Sequence, residues 1–383
     1  MTSIRIAFSR AVGAASAIAE IASQMEGFRP ALVLCFATDT QNPAQLAAAL
    51  RQAFPPPVAL AGCTTAGEIG PDGYTNDSIV AIGFAAADFT AVTVLIPGLS
   101  AFDLADCQRR VEDALHRSTL QREALGFPHS LAFLLVDGLS LREEPVGRAV
   151  QLVLGDIPVV GGSAGDSLQF RQTQVFHDGS AQSDAAVLAL ISTDLPFRVV
   201  KTQHFQRTDE RMVVTGARPA ERVVTEINGF PAALEYARIV GVPVENLDPL
   251  AFAAYPVVVR IGGSEYVRSI QKVNPDHSLS FYCAIDEGIV LSRAQGLDAL
   301  ANLESALTRV EEEIGKPEAV LACDCILRNL EFRQKGLTEV ISAALRRHRV
   351  VGFSTFGELH KGIHVNQTFT GVAFGQHAQE VRQ

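Results

Sequence analysis

The chain has 383 residues, 48% of them hydrophobic and 19% charged, and a formal net charge of -10. This describes a globular protein large enough for more than one core, and its acidity speaks against nucleic acid or anionic lipid as a main partner, because phosphates are repelled at long range. Six cysteines without paired spacing fit a reducing compartment, and no apolar run approaches the roughly 18 residues of a membrane-spanning helix.

In chain order, IRIAF (4–8) alternates like a strand. Arg5 and Arg10 before AVGAASAIA (11–19) faintly mimic a signal peptide. The stretch is poor in leucine and valine and runs on into EIASQM as a helical pattern, so a cytoplasmic protein is expected. The same arrangement then comes three times. Buried strands are predicted at ALVLCFATD (31–39), SLAFLLVDG (130–138) and AVLACDCIL (319–327), carrying Asp39, Asp137 and Asp324. A helix follows each, at 42–54, 142–155 and 331–348. Next come strands VALAG, IPVVG and RVVGF, each delivering a glycine-rich turn, and then SIVAIGFAA, DAAVLALIS or TFTGVAFG as a further strand. Short turns between strands make antiparallel returns, so a doubly wound parallel sheet is excluded. The predicted fold class is α/β of the α+β kind: mixed, largely antiparallel sheets covered by helices on one side, built from a repeated strand-helix-strand-turn-strand unit. Further strands are expected at FTAVTVLI, FRVVKTQHF, RMVVTGA and EYVRSIQKV, and an amphipathic helix at 297–315. The proline-punctuated stretch from Pro231 to Pro256 suggests a join, placed near residue 222, between domains 1–222 and 223–383.

The outer turns align without a gap, GCTTAGEIGPDGYTN (62–76) over GFSTFGELHKGIHVN (352–366), with five of fifteen positions identical. VVGGSAGDS (159–167) is a shorter relative. A strand ending in Gly-x-Ser/Thr-x-x-Gly brings backbone N–H groups and hydroxyls to a sheet edge, where glycine allows close approach. Gly62, Thr64, Thr65, Gly67 and Glu68, with Gly352, Ser354, Thr355, Gly357, Glu358 and Asn366, are therefore candidate ligand-binding residues. Glu68 and Glu358 are expected at the rim, or else capping their own turns.

Catalytic patterns fail on context. Gly161 to Gly165 spell GxSxG, but Ser163 is followed by a turn and strand where a nucleophile elbow needs a helix. His360 and His364 with Cys323 and Cys325 lack finger spacing. Asp286 and Glu287 are neighbours on an extended segment and face opposite ways. No enzyme is expected, and no metal site of these kinds.

GCTTAGEI, and VVGFSTFGEL with HVNQTFTGVAFG, resemble the N- and C-terminal signatures of the FIST family, over roughly residues 30 to 375. GGSAGDSLQFRQTQVF, VVTEINGFPAALEYARIVG and YVRSIQKVNPDHSLSFYCAIDEG are most similar to its haem-binding, nitric-oxide-sensing members. The resemblance implies a cytoplasmic sensor carrying haem b and regulating a sensor histidine kinase or cyclic-dinucleotide enzyme. The alternative is a sensor of a small organic ligand such as an amino acid, without haem. No output module is recognisable in the sequence, so output in trans is expected. For the axial ligand, His116, His129, His177, His277, His348 and His377 stand among polar residues and are expected at the surface. That leaves His204, His360 and His364. His204 ranks first, beside Phe205 in a segment where the resemblance suggests a histidine, and His364 second, between Ile363 and Val365.

Overall fold

The computed structural model describes residues 2–38, 42–261 and 263–377, so Asp39 lies outside the described residues. Three six-stranded sheets and one eight-stranded sheet make up the β structure. The first unit supplies Ile4–Ser9, Ile79–Ala85, Pro30–Thr38 and Ala59–Thr65, in that spatial order. The second supplies Phe89–Pro97, Ala185–Thr193, His129–Val136 and Val159–Ser163; the third supplies Phe197–Thr202, Phe369–Phe374, Ala319–Cys325 and Val350–Thr355. In each, the last two strands are parallel and the other pairs antiparallel. The mixed α+β architecture expected from the strand and helix pattern is what forms.

Alternation along the strands sets the layers. Leu32, Leu34 and Phe36 point to a central core shared with Leu131, Phe133 and Leu135 and with Leu321, Cys323 and Phe353. At its centre Phe36 stacks on Phe353 at 4.5 Å and meets Phe133 edge-on at 6.3 Å. The intervening side chains face outward under helices: Val33 and Cys35 under Ala14–Gln24 and Pro43–Ala53, Leu134 under Leu104–Leu125 and Glu143–Leu154, Val320 under Ala299–Ile314 and Thr338–Arg347. Local chemistry starts these helices: Asn42 accepts from Gln45 N at 3.1 Å ahead of Pro43, and Asp298 from Ala301 N at 2.9 Å.

The glycine turns join the units. The hairpin after the first turn, Glu68–Gly70 and Gly73–Thr75, pairs with the third unit's strand Val350–Thr355. Val175–His177 and Ser180–Gln182, from the second unit, pair with the first unit's Ala59–Thr65. Glu358–His360 and Ile363–Val365, from the third, pair with the second unit's Val159–Ser163. Each unit thus completes the sheet of another, in a closed cycle.

Two expectations change. One helix over 331–348 is in fact two, Ile326–Gln334 and Thr338–Arg347, broken where Gly336 takes φ +66°. Ile326 and Leu327, read as strand, open the first of these. The eight-stranded sheet is an insertion of the third unit, lying between its first strand and the helix Ala299–Ile314. Met212, Val214, Val257, Val259 and Leu291 on one face of it pack under the helices Ala232–Val240 and Pro249–Ala254. Residue 222 falls within this sheet, between the paired strands Phe205–Arg218 and Val223–Ile227. Among the described residues no helix is long and apolar enough to cross a membrane.

Candidate functional site

The glycine turns interlock at the ends of the parallel strands. Gly62, Gly161 and Gly352 lie opposite Cys35, Leu134 and Ala322, and a Cβ there would sit 2.0, 1.8 and 1.8 Å from the carbonyl oxygens of those residues. These glycines admit the neighbouring strand. Ala66 N donates to Ser354 O (3.0 Å), Ser354 N to Gly67 O (2.7 Å), Gly165 N to Thr64 O (3.0 Å) and Ser163 N to Gly357 O (2.8 Å). Ser163, the GxSxG serine, is a splice point with no helix after it.

Glu68 and Glu358 lie in the interior, both fully buried, and not at a rim. Glu68 accepts from Thr38 Oγ1 (2.8 Å), from Ser78 Oγ (2.5 Å) and from Thr65 Oγ1. Burial pushes its carboxyl up to about 7, against the pull of those three hydroxyls. Glu358 Oε2 accepts from Thr368 Oγ1 (2.6 Å) and Thr368 N (3.1 Å), while Oε1 has no partner. Burial raises this carboxyl well above the usual range.

Unmatched buried polar atoms concentrate here, where the third unit meets the inserted sheet. Besides Glu358 Oε1 they include Arg268 Nε, Ser269 Oγ, Asn329 Oδ1, His364 Nε2 and Gln367 Oε1. A buried polar atom without a partner costs about 1–3 kcal/mol, so such a concentration makes this the candidate site. Asn366 Oδ1 accepts weakly from Ser269 N (3.4 Å), and Arg268 Nη1 donates to His364 O (3.3 Å). The His364 ring packs over Gly357, where a Cβ would fall 2.0 Å from Nε2.

Beside this wall opens a cavity of about 330 Å³, lined by Glu144, Arg148, Gln151 and Leu152 of the second unit's helix, by Lys361, Gly362, Ile363 and His364 of the third unit's hairpin, and by Arg268 of the insertion. His364 Nδ1 donates to Glu144 Oε1 at 3.2 Å, and Ala284 N donates to the same oxygen at 2.6 Å. Arg222 donates to Glu143 (2.6 Å), to Tyr282 O (2.5 Å) and to Glu144. Burial works to raise the Glu144 carboxyl, but His364, Arg222 and the Ala284 N–H outweigh it and hold it below the usual range. Glu143, Glu144 and His364 are the one trio of potential metal-ligating side chains brought together among the described residues. The Arg222 guanidinium already pairs with both carboxylates. Cys323 and Cys325 do not join this trio.

His204 is fully buried, with Arg328 Nη1 donating to Nδ1 (2.9 Å) and Nε2 donating to Glu331 (2.8 Å). Burial lowers its pKa, so the imidazole is neutral. Arg328 in turn holds Asp324 at 2.6 Å, and Asp324 accepts from Tyr74. Both nitrogens of His204 are committed, while the open nitrogen of His364 faces Gly357. His360 is half-buried, and burial lowers it to about 4. As they stand, neither His204 nor His364 presents a free ring nitrogen to a cleft, so an axial bond to haem iron would need one of these rings to turn. Of the histidines expected at the surface, His116, His277 and His377 are exposed. His129 and His177 are half-buried. His348 is buried, because its Nδ1 reaches Glu311 at 2.9 Å.

A family model for the FIST N domain matches residues 31–229, and one for the FIST C domain matches residues 232–361. The chain belongs to the FIST family. FIST domains are sensory modules of signal transduction that bind small ligands. No curated protein matches the chain. The FIST N match runs from the first unit's strand Pro30–Thr38 through the second unit and the third unit's first strand into the insertion, and the FIST C match covers most of the rest. Glu144 and Arg148 come from the former and Arg268 and Lys361 from the latter, so both parts build the cavity. Arg222, Glu144 and Arg268 were missed by sequence reasoning. Their only signal was the acidic pair Glu143–Glu144 opening a helix.

Proposed function

We propose that this FIST protein senses a small organic ligand bearing a carboxylate, of amino-acid size, in the cavity between the second unit's helix and the inserted sheet. The observation that carries this reading is Arg268, whose buried Nε has no partner beside a cavity of about 330 Å³. A carboxylate supplies the missing acceptor, Arg148 and Lys361 add positive charge, and Glu144 opposite offers an acceptor to a ligand ammonium. Ligand binding draws the insertion and the core together, because Arg222, Ala284 and Arg268 of the insertion already meet Glu143, Glu144 and His364 of the core. The output is carried by a separate protein, a sensor histidine kinase or a cyclic-dinucleotide enzyme.

Calorimetry with a panel of amino acids and small dicarboxylates tests the site. One member is expected to bind, with Arg268→Lys lowering affinity about tenfold through loss of the planar fork. Equal binding by this variant removes the site. The same preparation reconstituted with haem b discriminates the other sensor reading, in which His364, oriented by Glu144, is the axial ligand and nitric oxide the signal. A Soret band lost in His364→Ala overturns the organic-ligand reading; its absence removes haem.

A further inference from the structure

We propose that the uncovered face of the inserted sheet docks an acidic, partly apolar segment of a partner protein. This rests on the reading that output is carried by a separate protein. One face of this sheet lies under its own helices, and at one end of the other face Phe205, Val258, Val267 and Ala294 form a closed cluster. Beside this cluster the second face carries exposed side chains. Cross-strand register puts Arg211 opposite Ser292 and Val213 opposite Val290, with Arg207 opposite Ala294 on the same side. Val258 lies opposite Ser292, so Arg260, two residues on, shares this face.

The result is a concavity of about 500 Å³ whose lining includes Arg207, Arg211 and Arg260 and no carboxylate. Arg207 is held at 3.3 Å by Glu265, while Arg211 and Arg260 are exposed. Val213 and Val290 sit beside them, 39% and 46% exposed although directly opposed on neighbouring strands. Three guanidiniums with one carboxylate among them, Glu265 opposite Arg260, make this face locally positive on a chain with net charge -10. Such a patch selects carboxylates by long-range attraction and holds them by fork-shaped hydrogen bonds. The exposed valine pair supplies the dry centre that a phosphate ion or a nucleotide would not need, and arginine next to apolar surface is the composition of protein interfaces. The occupant is therefore an extended segment alternating Glu or Asp with aliphatic residues.

The test uses the full chain and a fluorescent peptide alternating glutamate and leucine, with a lysine-leucine peptide as control, read by anisotropy. The acidic peptide is expected to bind, to weaken as salt rises, and to lose about tenfold in affinity when Arg211→Glu and Arg260→Glu are combined. Both side chains are exposed, so the melting temperature should be unchanged. Failure of the acidic peptide to bind, equal binding by the double variant, or equal binding of the lysine peptide overturns the proposal. So does binding of inorganic pyrophosphate through the same two arginines when the peptide does not bind, which would make this a small-anion site. Calorimetry at the Arg268 cavity in the same double variant separates the two readings: retained ligand binding with no peptide binding removes only the docking surface.

Discussion

Glu68 and Glu358 hold equivalent places in two copies of one turn, yet one is saturated with hydrogen bonds and the other is not. Around Glu68 stand Thr38, Thr65 and Ser78. Strand register shows what became of each in the third unit. Thr38 pairs with Thr65 as Cys325 pairs with Thr355, so a thiol replaces the first hydroxyl. Thr355 keeps its hydroxyl but turns it to Ser163 O and Gly357 O, both at 2.7 Å, splicing the second unit. Only Thr368, the counterpart of Ser78, still serves its glutamate, and Oε1 is left open. The first copy is a closed structural knot; the third has been opened on the side where the insertion docks. One framework is thus closed in one place and leaves an unmatched acceptor in another.

The largest expected effect tests whether the two frames are equivalent. Gly62→Ala and Gly352→Ala each drive a Cβ into a carbonyl oxygen of the adjacent strand, and each should cost about 4 kcal/mol or more, seen as lost soluble expression or a collapsed melting temperature. Tolerance of either one would break the comparison.

Next comes pH. The folded value of Glu68, about 7, lies above its ordinary 4.5, so its neutral form is the stabilising one. That contribution is complete below pH 4.5 and is lost as pH rises through 7, a change of about 3 kcal/mol across the window. Denaturant midpoints from pH 4.5 to 8 should therefore fall, and Glu68→Gln should flatten that part of the profile. A profile identical to wild type in the variant places the titration elsewhere.

Smaller effects sharpen the contrast hydroxyl by hydroxyl. Thr38→Val removes one donor from Glu68 and should cost about 1–2 kcal/mol by urea denaturation. Cys325→Ser offers Glu358 the hydroxyl it lacks and should stabilise by about 0.5–1 kcal/mol. A loss in the serine variant would mean that Oε1 is satisfied by something the thiol accommodates better.

The unit itself was legible because its signals are local: apolar runs of strand length, capped helices, and glycines where a neighbouring backbone comes close. What each hairpin pairs with was not. Glu358–His360 adds to a strand some two hundred residues away, and nothing in either segment names the other. The helix after Asp324 was misplaced because Cys325-Ile326-Leu327 continues an apolar run, and only Gly336 announced the later break. His348 looked solvent-exposed beside two arginines, since its partner Glu311 sits on another helix. The candidate cavity was hardest to see, because Glu144, Arg268 and His364 come from three segments that meet only when the insertion folds back onto the core.

The exchange of hairpins has a consequence for how such a chain could arise. A single unit standing alone would present a bare strand edge and throw its own hairpin into solvent, the situation that leads identical chains to trade elements. Here three copies cover the edge of each inner parallel strand by passing the hairpins round a ring, from the first unit to the third, the third to the second and the second to the first. A single-unit protein built this way could close the same ring as a trimer of identical chains. In one chain each interface can diverge separately, and it is at one of these seams, between the second and third units, that the open carboxylate and the cavity lie.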